Sequence, residues 1–330
     1  MNVIDLKKFG DRECLKTIEQ RYRFKPYWWI RQVDEHSRCQ LMERHLEQVQ
    51  ENDTAVLLGA FTDDEELAGF ATMNPLPWDT AHFAVNIWRV GHLGVWGDPE
   101  QQRQTAGKLT QAVVRQAARH GAQALTIWEP LDAIGVIHAL EAGGFRTMES
   151  QVYWLYDLQR QPLQPPKTNA LFRPHTPADT EALMALARRV YTPIPDRFHA
   201  DPHFPTAVSD DLYARWLYNS CTGEAADYIS VLEVDGEVVG YATLRYLDDQ
   251  AGLCNVHMGQ FLLGAIEPRY RQAGGVYDDL LRSLLVWLLD RHADLAFVGT
   301  QTNNAAAQCG MARMGWRPVC GGLSLHFWQK

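Results

Sequence analysis

The chain contains an internal repeat with an offset of 171 residues, which limits it to a fold that is built twice. The segment 67–72 (LAGFAT) resembles 238–243 (VVGYAT), and the segment 144–145 (GF) resembles 315–316 (GW) at the same offset. Three apolar residues between these landmarks, Leu109, Val113 and Val114, fall on Leu280, Leu284 and Leu285. Units of one strand and one helix can look alike by chance, but several landmarks at one offset favour a duplicated domain.

The length and one polar segment divide the chain in two. With 330 residues it exceeds one ordinary hydrophobic core and suits two domains of about 150 residues each. The segment 159–167 (QRQPLQPPK) is polar and rich in proline, which cannot continue a helix or a central strand. We predict a first domain over 1–160, a linker over 161–169 and a second domain over 170–330.

Composition and charge exclude several classes of protein. Hydrophobic residues make up 46% and charged residues 22%, which is typical of a globular protein, and no apolar run has the length of a membrane helix. The net charge of −9 disfavours a nucleic-acid surface. The six cysteines form no C-x-x-C pair, and His175 and His199 lack the spacing of metal ligands. We expect a cytoplasmic protein with reduced cysteines, no metal and no membrane or nucleic-acid partner, and we leave a homodimer open.

Apolar periodicity predicts an α/β architecture for the second half, with a mixed sheet flanked by helices on both faces. The segment Asp235-Gly236 is a strong signal for a tight turn between two strands. The predicted strands are 170–173, 228–233, 238–246, 255–266, 294–300 and 323–328, the predicted helices are 177–190, 210–220, 278–291 and 304–314, and 191–208 is predicted to be a loop.

A glycine-containing turn between the long strand and the apolar helix is the strongest chemical signal. The strand ends at 266–268 (IEP), and 269–277 (RYRQAGGVY) leads into the helix. Such a turn exposes unpaired N–H groups, and the helix dipole adds partial positive charge, so the turn can hold a phosphate group. Arg269 and Arg271 can add charge-assisted contacts. A plain tight turn is the alternative reading.

These features resemble the GCN5-related N-acetyltransferases, whose pyrophosphate loop reads Gln/Arg-x-x-Gly-x-Gly/Ala after such a strand. The segment 272–277 (QAGGVY) fits this pattern, with Tyr277 in place of the last small residue. The last helix of the family is similar to 304–316 (NAAAQCGMARMGW), which matches at Asn304, Ala307, Gly315 and the aromatic Trp316. The resemblance covers most of 170–330 and implies two tandem copies of that fold.

The resemblance implies acetyl-CoA or another acyl-CoA as co-substrate of the second copy. A β-bulge near residues 263–265 would free N–H groups for the pantetheine arm and the thioester. The implied cofactor-binding residues are Leu263, Gly264, Ala265, Ile266, Arg271, Gln272, Ala273, Gly274, Gly275, Val276, Tyr277, Asn304, Ala307 and Met311.

Proton transfer departs from the family pattern. The family's last helix carries a tyrosine that protonates the departing thiolate, and here that position is Met311. Tyr277 is a substitute donor in principle. For the base that deprotonates the amine we name His257 on the long strand, because an imidazole titrates near neutral pH. A histidine hydrogen-bonded at the sheet surface is the alternative.

A narrower resemblance concerns the acceptor. The segments 197–202 (RFHADP) and 213–220 (YARWLYNS), with 77–86 (PWDTAHFAVN), look like the subfamily of TDP-fucosamine acetyltransferases. This implies transfer to an amine of a small molecule, with nucleotide-linked amino sugars as candidates. The implied acceptor-binding residues are Arg197, Asp201, His203, Trp216 and Gln260. A solvated loop and core-facing aromatic residues are the alternatives.

The first copy lacks the key glycine. At the offset of 171, the loop corresponds to 101–106 (QQRQTA), and Gln104 replaces Gly275. A side chain there should prevent close approach of a pyrophosphate. We therefore expect a structural first domain and an acyl-CoA-dependent N-acyltransferase in the second. The alternatives are an inactive acyl-CoA-binding or scaffold protein, and an acetyltransferase of protein or peptide amines.

Overall fold

The computed structural model of the chain forms two compact units. Unit 1 comprises Met1–Ser150 together with Gly321–Lys330, and unit 2 comprises Gln151–Cys320. The structure describes residues 1–9, 12–191, 196–247, 252–271 and 275–329.

Unit 1 is a mixed sheet with helices on both faces. Its helices are α1 (Leu6–Phe9), α2 (Arg12–Arg21), α3 (Glu35–Glu51), α4 (Pro77–Phe83), α5 (Pro99–Arg119) and α6 (Ile134–Ala142), which follows the 3-10 turn Leu131–Ala133. Its strands are β1 (Asn2–Asp5), β2 (Val56–Phe61), β3 (Leu67–Pro75), β4 (Ile87–Val95), β5 (Ala124–Pro130) and β12 (Arg317–Trp328), in that spatial order. Only β4 and β5 are parallel neighbours among these pairs; the others are antiparallel.

Unit 2 repeats this plan. Its strands are β6 (Arg146–Asp157), β7 (Leu171–Pro174), β8 (Tyr228–Val234), β9 (Glu237–Tyr246), β10 (Met258–Ile266) and β11 (Leu295–Gln301), in the spatial order β6-β11-β10-β9-β8-β7. Its helices are α7 (Thr180–Tyr191), α8 (Arg197–Ala200), α9 (Thr206–Cys221), α10 (Pro268–Arg271), α11 (Val276–Leu289) and α12 (Ala305–Arg313), with a 3-10 turn at Pro177–Asp179. Strands β10 and β11 are parallel, and the other neighbours in this order are antiparallel.

The alternation of apolar residues explains why both faces of each sheet are covered. In β2, Val56 and Leu58 belong to one buried cluster, with side chains of α5 and α6, whereas Leu57 belongs to another, with side chains of α1, α2 and α3. A period of two places successive side chains on opposite faces. In unit 2, α11 covers one face with Leu281 and Leu285, and α7 and α9 cover the other.

The two units follow the predicted offset of 171 closely. Strands β4 and β10, strands β5 and β11, helices α6 and α12, and strands β6 and β12 each begin and end at equivalent positions. The glycines that end the last helices, Gly144 and Gly315, have φ of +95° and +91°. Even the side-chain bonds repeat: Thr72 Oγ1 accepts from His92 N, and Thr243 Oγ1 accepts from Leu263 N, both at 3.0 Å. The duplicated fold is confirmed.

The last strand of each half pairs in the other half's sheet. Strand β6 pairs with β11, whereas β12 pairs with β5. The units therefore do not coincide with the predicted ranges 1–160 and 170–330, because residues 151–160 belong to unit 2 and 321–330 to unit 1. Because β6 and β12 occupy equivalent repeat positions, their hydrophobic patterns alone do not select their neighbours.

Most predicted elements of the second half are present, with differences at their ends. The hairpin turn Asp235-Gly236 has φ of +52° and +79°, as a tight two-residue turn requires. The long strand begins at Met258 rather than at the predicted Asn255, whose φ of +46° does not suit a strand. The predicted loop 191–208 contains α8 and the first turn of α9, and 192–195 lie outside the described residues. Asp196 caps α8 through its side chain, a local bond that apolar periodicity does not register.

Candidate cofactor and acceptor site

The carboxyl-terminal part of β10 extends beyond its pairing with β11 and contains a bulge. Strands β10 and β11 pair from Met258 to Phe261, and no further pair follows within the described part of these strands. The register against β9 shifts between Phe261 and Gly264, which is the predicted bulge. Leu263, Ala265 and Ile266 are buried and Gly264 is exposed. A bulge next to diverging strands leaves N–H and C=O groups available to an extended ligand.

The short helix α10 follows this strand, and helix α11 begins at Val276. Gly275 is its N-cap, with φ of +97°, a conformation that favours glycine. The first N–H groups of a helix have no partner within the helix and carry partial positive charge. The loop residues Gln272, Ala273 and Gly274 lie outside the described residues. Arg271 has an exposed side chain, and its Nε donates to Ile266 O at 2.8 Å.

The segment 164–168, which we call the strap, crosses the start of α11. A Cβ added to Gly275 would lie 2.6 Å from Cβ of Lys167. Asp279 accepts hydrogen bonds from the N–H groups of Lys167 and Thr168, at 2.8 Å each, and from the Thr168 hydroxyl at 2.7 Å. Arg282 Nε donates to Gln164 O. The strap fixes the helix start, and sequence reasoning missed it.

Asp278 forms ion pairs with two cationic side chains near this helix start. Its carboxylate accepts from Lys167 Nζ at 2.6 Å and from Arg313 Nη2 at 2.8 Å, and its side chain is 3% exposed. Burial would raise the pKa of Asp278, but these hydrogen bonds and charges outweigh it and lower the pKa. Since both cations are compensated, an anion at this turn would depend on the helix N–H groups and on Arg271.

Helix α12 packs against the start of helix α11 through Tyr277. A Cβ added to Gly310 would lie 2.5 Å from Cδ1 of Tyr277, so the ring covers Gly310, next to Met311 in the chain. Met311 itself is 1% exposed and belongs to the core with residues of α11. The structure thus places the predicted substitute donor beside the position where the family carries its tyrosine.

Asn304 and Ala307 form the cap of α12. Asn304 Oδ1 accepts from Ala307 N at 3.3 Å, and Asn304 Nδ2 donates to Thr300 Oγ1 at 3.1 Å. Val276 is buried in the core, so it anchors the first residue of α11 to the core of unit 2. Of the predicted cofactor residues, the structure therefore brings together the end of β10, the start of α11 and the start of α12.

His257 lies at the opposite end of β10 from the bulge. It is exposed immediately before β10, its Nδ1 lies 3.1 Å from Tyr246 Oη, and its N–H donates to Asp294 Oδ2 at 2.8 Å. A strand rises about 3.3 Å per residue, which places His257 about 20 Å before Gly264. Gln260 lies in the paired part of β10, opposite Arg245 and Phe297. The structure does not bring His257 to the bulge.

The predicted acceptor segment is anchored by a buried carboxylate. Asp196 Oδ1 accepts from the N–H groups of Phe198 and His199 and lies 2.9 Å from His199 Nδ1, and Asp196 Oδ2 accepts from Tyr213 Oη at 2.6 Å. His199 Nε2 also lies 3.2 Å from Asp210 Oδ1. Burial alone would lower the pKa of His199, but Asp196 and Asp210 outweigh it and raise the pKa. An N-cap aspartate before a short polar helix was the sequence signal for this anchor.

The predicted acceptor residues flank this anchor. Asp201 is 1% exposed and its Oδ1 lies 2.8 Å from Nδ1 of His203, which is half-exposed. The Arg197 guanidinium lies 4.6 Å from the ring centroid of Phe198, a cation–π distance. Trp216 is half-buried against a core cluster, in line with the alternative of a core-facing aromatic.

Helix α9 connects this segment to the bulge. Tyr213 and Leu217 of α9 share one buried cluster with Leu263 and Ala265 of β10. The hydroxyl of Tyr213 holds Asp196, so the acceptor segment is tied to the same strand section that is open for a cofactor. This arrangement could hold two substrates on one unit.

Unit 1 has a different structure where unit 2 has the glycine turn. At the repeat offset α11 would begin at residue 105, but α5 already begins at Pro99. The carboxylate of Asp98 accepts from Glu100 N and Gln101 N, both at 2.9 Å. Gln104, the counterpart of Gly275, lies inside the helix. An anionic side chain thus occupies the place that an anionic ligand would take.

Neither a membrane helix nor a metal cluster is present in the part of the chain that the structure describes. No disulfide joins any two of the six cysteines, all of which lie among the described residues.

Comparisons with known proteins agree with this architecture. No protein-family model matches the chain. The spore coat polysaccharide biosynthesis protein SpsD of Bacillus subtilis is 27% identical over 204 residues. The alignment covers 60% of this chain and 64% of SpsD, so it spans less than two thirds of that relative.

Solved structures show the fold. A GCN5-related glucosamine N-acetyltransferase region of a fungal multi-domain GH3 β-N-acetylglucosaminidase matches with a TM-score of 0.63 and 15% identity, over 99% of this chain and 38% of that one. A tandem GNAT protein of the clavulanic acid biosynthesis pathway matches with a TM-score of 0.54 and 12% identity, over 99% of this chain and 98% of that one. The chain therefore has the fold of the GCN5-related N-acetyltransferases, in two tandem copies.

Proposed function

We propose that the chain is an acyl-CoA-dependent N-acyltransferase and that unit 2 binds the acyl-CoA. The observation that carries this is that the bulge of β10, beyond its pairing with β11, is followed in the chain by the left-handed Gly275 at the start of α11. In unit 1 the equivalent start is closed by Asp98. We therefore assign unit 1 no pyrophosphate site.

In this proposal the backbone holds the cofactor. The edge of residues 263–266 that no longer pairs with β11 would bind the pantetheine arm, and an N–H group there would polarise the thioester carbonyl. The N–H groups at the start of α11, with Arg271, would hold the pyrophosphate. Asn304 and Ala307 would flank the arm from the last helix. Direct transfer in such a complex gains rate mainly by holding amine and thioester together.

Proton transfer would use one side chain of α11 and one of the acceptor segment. Tyr277 is the candidate acid, because its ring lies beside the position of Met311. For the base we favour His203 over His257. Asp201 lies 2.8 Å from His203 Nδ1, and this contact fixes one tautomer with Nε2 as the acceptor. His257 would have to act across about 20 Å of strand.

The acceptor in this proposal is a primary amine of a small molecule, with amino sugars first. Support comes from the polysaccharide role in the name of SpsD and from the glucosamine acetyltransferase region among the structural neighbours. A cytoplasmic location and a homodimer stay predictions. The burial of Met311 and the pairing of Lys167 and Arg313 with Asp278 favour one rival, a non-catalytic acyl-CoA-binding protein. Acetylation of a protein or peptide amine is a weaker rival.

The test measures binding and turnover separately. A ligand at about 100 times its dissociation constant stabilises by roughly 2.7 kcal/mol, a rise in melting temperature of about 4 °C or more for a protein of this size. We expect acetyl-CoA to give this rise with wild type and a smaller one with Arg271→Gln. Arg269→Gln is the matched control, since Arg269 is exposed and paired with Glu237.

Turnover is followed as thiol release with glucosamine and nucleotide-linked amino sugars. Release with any of these amines supports the enzyme. A melting-temperature rise without thiol release would support the non-catalytic rival, and no rise with any acyl-CoA would contradict the cofactor site.

A further inference from the structure

Unit 1 contains a cleft at the repeat counterpart of the groove that we propose for the cofactor in unit 2. The cleft has a volume of about 380 Å³, which suits a small molecule. At the offset of 171, its residues 93–95 correspond to 264–266 of β10, and its residues 133–136 correspond to 304–307 at the start of α12. The other lining residues are 21–24, 96–97, Gln102 and Asp132.

The cleft does not suit the pyrophosphate of an acyl-CoA. The carboxylate of Asp98 accepts from the first N–H groups of α5, which a phosphate would need. Gln102 Nε2 donates to Gly97 O at 2.8 Å and so ties α5 to the turn after β4. The cleft therefore keeps the position of the cofactor groove but requires a ligand with less charge.

The charged side chains that line the cleft are Arg21, Arg23 and Asp132. Arg23 Nη2 donates to Asp132 Oδ2 at 2.9 Å, which compensates one of the two cations. The guanidinium of Arg21 has neither an ion pair nor a hydrogen bond among the residues that the structure describes. One positive charge thus remains for a ligand, and a guanidinium can donate two parallel hydrogen bonds to a carboxylate.

The neighbouring cleft limits the charge of that ligand. Arg21 also borders this second cleft, which carries the carboxylates of Glu13, Glu65 and Glu66. Their repulsion disfavours a polyanion beside Arg21, because like charges that are close together are destabilising. A ligand with a single negative charge is therefore favoured.

Much of the remaining wall is aromatic. The rings of Tyr22 and Phe24 meet edge to face with centroids 6.2 Å apart, and Trp96 also lines the cleft. Tyr22 Oη lies 3.2 Å from His92 Nδ1, and Trp96 Nε1 donates to Leu67 O at 2.7 Å, so the polar atoms of both rings already have partners. Such a wall favours a hydrophobic carbon skeleton.

Gly135 keeps the cleft open beside α6. It lies in the first turn of that helix, and an added Cβ would meet no neighbouring atom within 4 Å. Packing therefore does not require a glycine at this position, and glycine is less favourable in a helix than alanine or leucine. The residue leaves space that a ligand could fill.

We propose that the cleft of unit 1 is a second small-molecule site, which binds a small hydrophobic monocarboxylate. Arg21 would pair with the carboxylate, the aromatic wall would cover the carbon skeleton, and the space beside Gly135 would receive part of it. This site does not depend on acyl transfer in unit 2.

Calorimetric titration with benzoate, 3-phenylpropanoate and octanoate tests the proposal, and the corresponding amides are the uncharged counterparts. We expect at least one acid to bind wild type, and its amide to bind about tenfold more weakly or not at all. Arg21→Gln should weaken binding of the acid by about tenfold or more, because it removes the charge that pairs with the carboxylate. Arg119→Gln is the matched control and should leave the affinity unchanged, since Arg119 is exposed and ends α5, about 25 Å along the helix from Gln102.

Two further measurements assign the result to this cleft. Gly135→Leu should fill the space and abolish binding of the acid, while it keeps or raises the melting temperature because it replaces a helical glycine. Acetyl-CoA should not displace the acid, and Arg21→Gln should keep wild-type affinity for acetyl-CoA. The proposal is overturned by equal affinity of wild type and Arg21→Gln for the acid, by unchanged binding to Gly135→Leu, by displacement with acetyl-CoA, or by no binding of all three acids.

Discussion

At the scale of single residues, buried carboxylates organise both ends of the candidate site. Asp279 holds the strap with three hydrogen bonds within 2.8 Å, and Asp196 holds the acceptor segment through His199 and Tyr213. Hydrogen bonds to charged groups contribute about 1.5–3 kcal/mol each to stability when they are made in the interior. These residues position the site without being part of its chemistry.

His199 should make stability depend on pH. Its pKa is raised in the folded state, so its contribution is present below the ordinary value of about 6.5 and is lost as pH rises through the folded pKa. We expect His199→Gln to lower the free energy of unfolding more at pH 5.5 than at pH 8.5, in urea titrations. His175→Gln is the contrast, because burial lowers the pKa of His175 and its effect on the slope should be opposite. Equal losses at both pH values for His199→Gln would contradict this.

At the scale of elements, the two copies differ most in how the helix after the bulged strand begins. Helix α11 starts at a left-handed glycine under the strap, whereas α5 starts earlier and is capped by the Asp98 carboxylate. The first arrangement leaves helix N–H groups for a ligand, and the second uses them internally.

Gly275→Ala should therefore destabilise unit 2. A residue with Cβ at φ of +97° costs about 1–2 kcal/mol, and the new Cβ would lie 2.6 Å from Lys167 Cβ, so the strap must move. Gly223→Ala is the matched control, because Gly223 has φ of +84° and no atom within 4 Å of an added Cβ. We expect a larger loss in thermal unfolding for Gly275→Ala than for Gly223→Ala. Equal losses would mean that the strap does not rest on this turn.

At the scale of the whole molecule, the two copies share one fold but differ at equivalent positions. Unit 2 has a left-handed glycine at the start of α11, with Leu263 and Thr300 at the separation of its central strands. Unit 1 has His92 and Glu129 at that separation, and the start of its helix α5 is capped by Asp98.

Fragments test the strand exchange. We expect 1–160 and 161–330, expressed alone, to be unstable, because each carries the strand that the other sheet uses. Mixing or co-expressing them should restore a folded complex. The measurement is near-ultraviolet circular dichroism and size-exclusion chromatography of each fragment and of the mixture. Two stable, folded monomers would show that β6 can replace β12 and the reverse.

The sequence predicted the elements of the candidate site but not their supports. The bulge of β10 and the glycine turn that opens α11 could be predicted, because a local motif determines each of them. The strap could not, since it joins residues far apart in the chain, and the Asp196 cap is a local bond that apolar periodicity does not register. His257 was predicted to lie on the long strand but lies immediately before its first residue, at the end away from the bulge, because apolar periodicity does not fix where a strand begins.

By itself, the sequence determined that the fold is built twice, since one offset aligns strands, helices and terminal glycines. Only the tertiary structure decided where the two equivalent last strands pair, and side-chain size gives the reason. In β5, Trp128 lies opposite Ser324 and fills the space above Gly322. In β11, Gly299 lies opposite Tyr153, whose ring packs over the glycine. Without the exchange the Trp128 ring would meet the side chain of Gln151, the repeat counterpart of Gly322, in the space that it now fills. Volume complementarity between distant strands thus selected one of two pairings that the repeat pattern leaves equivalent.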